Sequence, residues 1–435
     1  MKNLTPKEIV KELNKYIISQ DEAKKNVAIA LRNRDRRKSI KNLELRKEIT
    51  PKNIILAGST GVGKTEIARR IALIADAPFI KVDATKYTEV GYVGKDVETI
   101  IKDLLSLTIG EMKDKKFNEL NHILYNSAVK KVASILRPLD KIDDNKFDQL
   151  VEEITAGNYD DEEIEITAPI KNNPPLIEVI AGGEEIGSLD KILEQMTSNI
   201  SKTEKIKTKV KNAINIFLEE EIEKKVDINE IIQDAINEVE SNGIIFIDEI
   251  DKIIETNESN RSDVSRSGVQ RDILPIVEGT TVVTKYGSVK TEHILFIAAG
   301  AFSNCSPSDL MPELQGRFPI IVNLKKLEKD DFIKILTETK YNLLKQYKEL
   351  LLVDNVELSF TESGIEKIAD LTFEMNEKVE NIGARRLSTI IEQILKEVMF
   401  EAPYDEPKKI KIDTKYVQNT IKEEIKEEDL DKFIL

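Results

Sequence analysis

Short, almost unbroken apolar runs stand out along an otherwise mixed chain, and each ends on polar or glycine-rich residues. Ile54-Ile55-Leu56-Ala57 runs into Gly58-Ser59-Thr60-Gly61-Val62-Gly63-Lys64-Thr65. Ile244-Ile245-Phe246-Ile247 runs into Asp248-Glu249, and Ile294-Leu295-Phe296-Ile297-Ala298 runs into Ala299-Gly300-Ala301. Continuous runs of this kind belong to strands buried on both faces, as in a parallel sheet. Pro78-Phe79-Ile80-Lys81-Val82-Asp83 predicts a further strand. Elsewhere apolar residues recur at helical spacing. Thr5, Pro6 and Glu8 form a capping box that opens a helix over 5–14. A second helix carries Val27, Ala28 and Leu31, and a third carries Ile67, Ile71 and Ile74. Ile206, Val210, Ala213, Ile214, Phe217 and Leu218 predict one face of a long helix. Asp227 and Glu230 cap another, with Ile231, Ile232, Ala235 and Ile236. Residues 269–279 read as helix and stop. Beyond about 323 the chain turns helical, over 331–351, 362–375 and 381–398, and 409–412 alternates as an edge strand does.

The 435 residues are long enough for two or three domains. Hydrophobic content of 40% is that of a soluble protein, and a net charge of −14 argues against a general nucleic-acid-binding surface. The basic stretch Arg32-Asn33-Arg34-Asp35-Arg36-Arg37-Lys38 reads as a solvated helix face, with phosphate or partner contact as the alternative. Cys305 is the single cysteine and His122 and His293 are the only histidines, so no internal disulfide, cysteine zinc cluster or histidine-rich metal site is expected. No run approaches the ~18 apolar residues of a membrane span, and Met1-Lys2-Asn3-Leu4-Thr5-Pro6 has no signal core. A cytoplasmic protein, away from the membrane, is the expectation.

The glycine segment after Ala57 fits G-x-x-x-x-G-K-[ST]. Strand, glycine turn and helix N-terminus aim backbone N–H groups and a helix dipole at one point, which suits a phosphate chain. Lys64 would reach the β- and γ-phosphates and Thr65 would hold Mg2+. A strand ending in Asp248-Glu249 supplies the complementary parts: Asp248 for the Mg2+ shell, Glu249 to orient or deprotonate water. Arg317 follows Gly316 at a helix end, where it bridges to a phosphate, its own or a neighbour's, or forms a surface ion pair. Ile17 and Ile18 either cover an adenine ring or pack in the core. Gly91 and Gly94 flank Tyr92-Val93, a pair that grips an extended polypeptide or folds back on the core. Lys64 and Asp248 are separated by far more than the ~50–60 residues that one or two βα units occupy. The surplus predicts an inserted, mostly helical domain. The final Phe433-Ile434-Leu435 is an apolar tip, frayed or built to dock.

Taken together these motifs resemble the AAA+ ATPases and, more narrowly, the HslU (ClpY) family, the unfoldase half of two-component HslUV proteases. The resemblance spans nearly the whole chain. It rests most on Thr5-Pro6-Lys7-Glu8-Ile9-Val10, Gln20-Asp21, the 28–34 and 60–70 segments, Glu89–Gly94, Pro312–Arg317, Asn381-Ile382-Gly383-Ala384-Arg385-Arg386 and the C-terminal tip. It implies an α/β fold: a P-loop domain with a parallel sheet (1–107 and 242–322), an inserted intermediate domain (108–241), and a mainly helical α+β C-terminal domain (323–435) with a peptidase-docking tail. ATP and Mg2+ would be the cofactors. Ile17 and Ile18 would lie at the adenine, and Gly61, Val62, Gly63, Lys64, Thr65 and Glu66 would wrap the phosphates. Asp248 and Glu249 would form the Walker B pair. Glu313 and Arg317 would stand at the subunit boundary, with Arg317 as the finger for a neighbour's ATP, and Arg385 would be the second sensor. Tyr92 and Val93 would line the pore of a homo-hexamer. The ring would feed unfolded or tagged protein substrates to an HslV-like threonine peptidase. Two departures from the family pattern are Ser19, where glycine is usual and a positive φ would be strained, and Ser59, where proline is usual. No first sensor is assigned after the 294–298 strand. The competing readings are a ClpX-like unfoldase serving a serine peptidase, an ATP-binding scaffold or switch without processive unfolding, and a small-molecule kinase.

Overall fold

The computed structural model describes residues 4–88, 95–137, 144–169, 203–254 and 264–427. The chain divides into two compact units, Met1–Thr108 with Gln233–Leu435, and Ile109–Ile232. The strands in chain order are β1 Ile54–Ala57, β2 Phe79–Asp83, β3 Glu163–Pro169, β4 Thr203–Lys209, β5 Ile244–Asp248, β6 Thr281–Thr284, β7 Gly287–Lys290, β8 Leu295–Gly300, β9 Ile320–Asn323, β10 Val356–Phe360 and β11 Lys408–Ile412.

The first unit is built on a five-stranded sheet in the order β2-β5-β8-β1-β9. All its pairings are parallel, and the register sets Asp83 beside Asp248 and Ala57 beside Gly300. The C-terminal ends of β1, β5 and β8 therefore finish level, with β8 between the other two. Glycine turn, acidic pair and the Gly300 turn all emerge from one edge, the place where open α/β sheets hold their ligands. Every residue of β1 and β8 is buried, as the apolar runs require. One face of the sheet packs Ile54, Leu56, Phe246 and Ile297 with Ile67, Ala68 and Ile71 of the helix Lys64–Ala75. The helix Pro6–Asn14 starts with the expected box. Glu8 N donates to Thr5 Oγ1 at 3.3 Å and Thr5 N donates to Glu8 Oε2 at 2.7 Å.

The same unit carries the helices Lys329–Thr337, Leu343–Leu352, Glu362–Lys378, Arg385–Glu401 and Thr414–Glu427, with β10 and β11 paired in parallel. The segment expected as one helix over 331–351 is broken. Asn342, only 4% exposed, accepts from Lys345 N at 2.9 Å and donates to Thr337 O and Thr339 O. One side chain thus ends the first helix and caps the next, the alternative that asparagine offers the backbone. The Ile320–Asn323 strand and the β6–β7 hairpin, which closes on Gly287 at φ +131°, go beyond the pattern reading.

One further expectation is corrected, and the Ser19 departure is met by local hydrogen bonds. The basic stretch is not simply a solvated face: Arg34 and Arg37 are each 6% exposed, and Arg34 Nη1 donates to Asn242 O at 2.5 Å. Ser19 does take a positive φ of 56°, and Gln20 takes 61°. The cost of that backbone is offset by Ser19 Oγ donating to the Asp331 carboxylate. Gln20 adds two bonds to the Lys325 backbone at 2.8 and 2.9 Å.

The second unit has its own core of Leu124, Val129, Val132, Ile154, Ile166, Val210, Ile214 and Phe217. Ile206 lies on β4, opposite Ile166 of the antiparallel β3, and not on the helix, which begins at Val210. The alternation of 203–209 lets β4 pair, and that pairing wins over helical spacing. Asp227 Oδ1 accepts from Asn229 N and Glu230 N, capping the helix Ile228–Asn242.

Candidate active site

At the C-terminal edge of the sheet lies a cleft of about 700 Å3. Its walls come from the glycine turn (Thr60, Gly61, Gly63, Lys64, Thr65, Glu66), the end of β5 (Asp248, Glu249), the end of β8 and the turn after it (Gly300, Ala301, Ser303) and the 380–388 segment with Arg385. Gly61 and Gly63 have φ of +74° and +103°, which a side chain would strain. Gly63 is the N-cap of the Lys64–Ala75 helix, so the turn delivers the helix N-terminus into the cleft.

Lys64 is 9% exposed, and its ammonium donates to Gly58 O and to Ser59 O, the latter at 2.9 Å. Burial pushes its pKa down, with Asp248 and Asp251 opposing and Arg385 adding to the decrease. Thr65 Oγ1 donates to Asp248 Oδ2 at 3.2 Å, and Lys81 Nζ sits 2.8 Å from the same oxygen. Glu249 has φ +57° while its N–H donates to Asp248 Oδ1 at 3.1 Å. A non-glycine residue held in this region at a strand end costs of order 1–3 kcal/mol, and such strain concentrates at working sites. For Glu66, burial raises the pKa, but hydrogen bonds from Arg69 and Arg70 outweigh it and hold the carboxyl below its ordinary value.

Hard oxygen donors on Thr65 and Asp248, beside a helix N-terminus, fit Mg2+ carried on nucleotide phosphates, since that ion keeps several waters and takes only one or two protein oxygens. Among the described residues there is no cluster of three or more His, Cys, Asp or Glu able to hold a metal by itself.

The cleft brings together Gly61, Gly63, Lys64, Thr65, Glu66, Asp248, Glu249 and Arg385. It does not include Ile17, Ile18, Val62, Glu313 or Arg317. Ile17 and Val62 belong to the main hydrophobic core. Glu313 and Arg317 lie on the short helix Pro312–Arg317, both exposed. Arg317 Nε and Nη2 donate to Glu278 Oε1 at 3.0 and 2.8 Å. Tyr92 and Val93 lie outside the described residues, as does the C-terminal tip. Cleft residues that pattern reading passed over include Arg69, Asp251, Lys252, Ser303, Glu380 and Ser388. Asp251 had a signal, as a second acid three residues after Asp248. It is 8% exposed and accepts from Phe302 N at 3.2 Å, pinning the turn after β8.

Family comparisons agree with this geometry. The AAA domain (Cdc48 subfamily) description matches residues 175–321, that of the ATPase family associated with various cellular activities (AAA) matches 54–124, and the C-terminal, D2-small domain of ClpB protein matches 327–417. The ATP-dependent protease ATPase subunit HslU of Petrotoga mobilis is 45% identical over 468 aligned residues, covering 99% of each chain. The chain belongs to the HslU family. The HslU of Thermosipho africanus is 46% identical over 458 aligned residues, again covering 99% of each chain. As an HslU-family member with an AAA+ fold, the protein is a nucleotide-binding ATPase. Among the described residues no helix is long and apolar enough to cross a membrane.

Proposed function

We propose that the protein is the ATP-driven unfoldase of a two-component cytoplasmic protease. It would work as a homo-hexameric ring that unfolds protein substrates, passes them to an HslV-like threonine peptidase and activates that peptidase. The observation that carries this reading is the convergence of Lys64, Thr65, Asp248, Glu249 and Arg385 on one cleft, while Arg317 stands outside it on an exposed helix end. Lys64 and the glycine-turn N–H groups hold the phosphates. Thr65 and Asp248 would hold Mg2+, which supplies charge neutralisation on the transferring phosphoryl group. Glu249 orients the attacking water and takes its proton. Arg385 reaches the nucleotide from the C-terminal helical segment. Arg317, distant from its own cleft lining, serves the site of the neighbouring subunit, which makes hydrolysis depend on assembly. Ile17 and Ile18 act behind the adenine through packing, and Glu313 at the subunit boundary. Residues 108–241 form the intermediate domain that receives substrate, between the two parts of the nucleotide domain (1–107 and 242–322). Residues 323–435 form the C-terminal domain, whose tip docks on the peptidase. Tyr92 and Val93 grip the polypeptide in the pore.

The test is Tyr92→Ala assayed with the cognate peptidase on a folded substrate. ATP hydrolysis should persist while degradation of the folded substrate is lost. Undiminished degradation would overturn the pore role of Tyr92, and a parent protein that supports no ATP-dependent degradation of the folded substrate would overturn the unfoldase reading.

A further inference from the structure

Arg386 follows the cleft residue Arg385 directly, yet it is 1% exposed and among the largest fully buried side chains. Burying a guanidinium is costly unless its donors are met. Here two of them are met by neutral acceptors, one on the helix Glu362–Lys378 and one on the turn that follows it. Arg386 Nε donates to Asn376 Oδ1 at 3.0 Å, and Nη2 donates to Glu380 O at 2.7 Å. Asn376, 5% exposed on the helix Glu362–Lys378, also accepts from Ile382 N at 3.2 Å and donates to Gly383 O at 3.2 Å. Two buried side chains thereby hold the backbone of 380–383 at several points.

That turn is fastened in its turn to the phosphate loop. Ala384 N donates to Gly61 O at 3.0 Å. The approach is so close that only glycine fits on either side. A Cβ on Gly61 would lie 1.9 Å from Ile382 O, and one on Gly383, where φ is +58°, would lie 2.7 Å from Gly61 O and 2.8 Å from Thr60 O. The helix Arg385–Glu401 begins at the next residue. Neighbouring residues on a helix point about 100° apart, so anchoring Arg386 inward fixes the direction of Arg385, which lines the cleft.

We propose that Asn376 and Arg386 are positioning residues for nucleotide binding, which lock the Glu380–Ala384 turn onto the Gly61 carbonyl and so set Arg385 over the phosphate loop. The inference rests on the reading of Arg385 as a nucleotide-binding residue. Networks of buried, fully met polar groups suit such a task because they admit one geometry where apolar packing admits several.

The test is a double-mutant cycle on the full chain, read by calorimetric titration with a non-hydrolysable ATP analogue and Mg2+, and separately with ADP. Asn376→Ala and Gly383→Ala should each weaken binding about tenfold, the size of one charge-assisted hydrogen bond. In an Arg385→Ala background neither should weaken it further. Thermal melts of all variants accompany the titrations, and Gly383→Ala keeps the test intact if Asn376→Ala does not fold. Losses of equal size with and without Arg385 would overturn the proposal, as would singles that bind as tightly as the parent. An Arg385→Ala protein with parent affinity would instead overturn the reading of Arg385 itself, and this inference with it.

Discussion

The position of Arg317 makes a quantitative prediction. Its guanidinium bonds Glu278 across a pair whose side chains are 50% and 38% exposed. Exposed pairs of this kind contribute ~0–1 kcal/mol, so Arg317→Ala should leave stability within about 1 kcal/mol of the parent. An arginine that completes a phosphoryl-transfer site from a neighbouring subunit contributes far more to rate, so hydrolysis should fall by roughly a thousandfold. The same small pair energy means that assembly can draw Arg317 from Glu278 at little cost. Mixing distinguishes action in trans from action in cis. Arg317→Ala subunits keep Glu249, and Glu249→Gln subunits keep Arg317. In rings assembled at random from equal amounts, about a quarter of the sites pair an intact Glu249 with an intact neighbouring Arg317. The assay is phosphate release by each variant alone and after co-refolding, with urea melts alongside. Two inactive, folded variants should regain activity on mixing. No recovery, or parent-like turnover by Arg317→Ala, would refute the argument.

Two further outcomes follow from side chains near the site and behind the sheet. Lys81, 43% exposed, sits on the Asp248 oxygen that Thr65 also meets. Lys81→Met should therefore lower the Mg2+ concentration for half-maximal hydrolysis, by no more than about fivefold given the worth of such a pair; an unchanged or raised requirement counts against competition at Asp248. His293 is held below its ordinary value of 6.5 by burial first and by Arg37 and Arg46 second, with Glu292 opposing. The unfolded chain thus takes up that proton more readily than the folded one, and stability drains away as pH falls through 6.5 and below. His293→Gln should lose less melting temperature than the parent between about pH 7 and about pH 5; an equal loss in both proteins would contradict this.

Features whose cause is local could be read from the chain. The Thr5–Glu8 box lies within one turn, the β1, β5 and β8 runs are continuous, and the glycine turn with Lys64 is a contiguous pattern. The insertion between Lys64 and Asp248 was visible as excess length. What escaped depends on residues distant in sequence. Arg34 is buried because Asn242 O, 208 residues on, accepts a hydrogen bond from its guanidinium. Ile206 fits a helix face by spacing and joins β4 only because β3 is there to pair with it. Asn342 breaks a helix whose apolar spacing runs straight through it, since its side chain competes for Thr337 O and Thr339 O. The cleft shows the same division: its floor is one motif, but Ser303 and Glu380 reach it only through the register of β8 and the buried Arg386 network.

The most direct measurement is steady-state ATP hydrolysis by the purified chain with Mg2+, beside Glu249→Gln, with nucleotide affinity measured for both. Turnover by the parent, and a Glu249→Gln protein that binds ATP as tightly but releases no phosphate, is the predicted result. A parent that binds ATP without turning it over, or a Glu249→Gln protein that hydrolyses at the parent rate, would contradict the account.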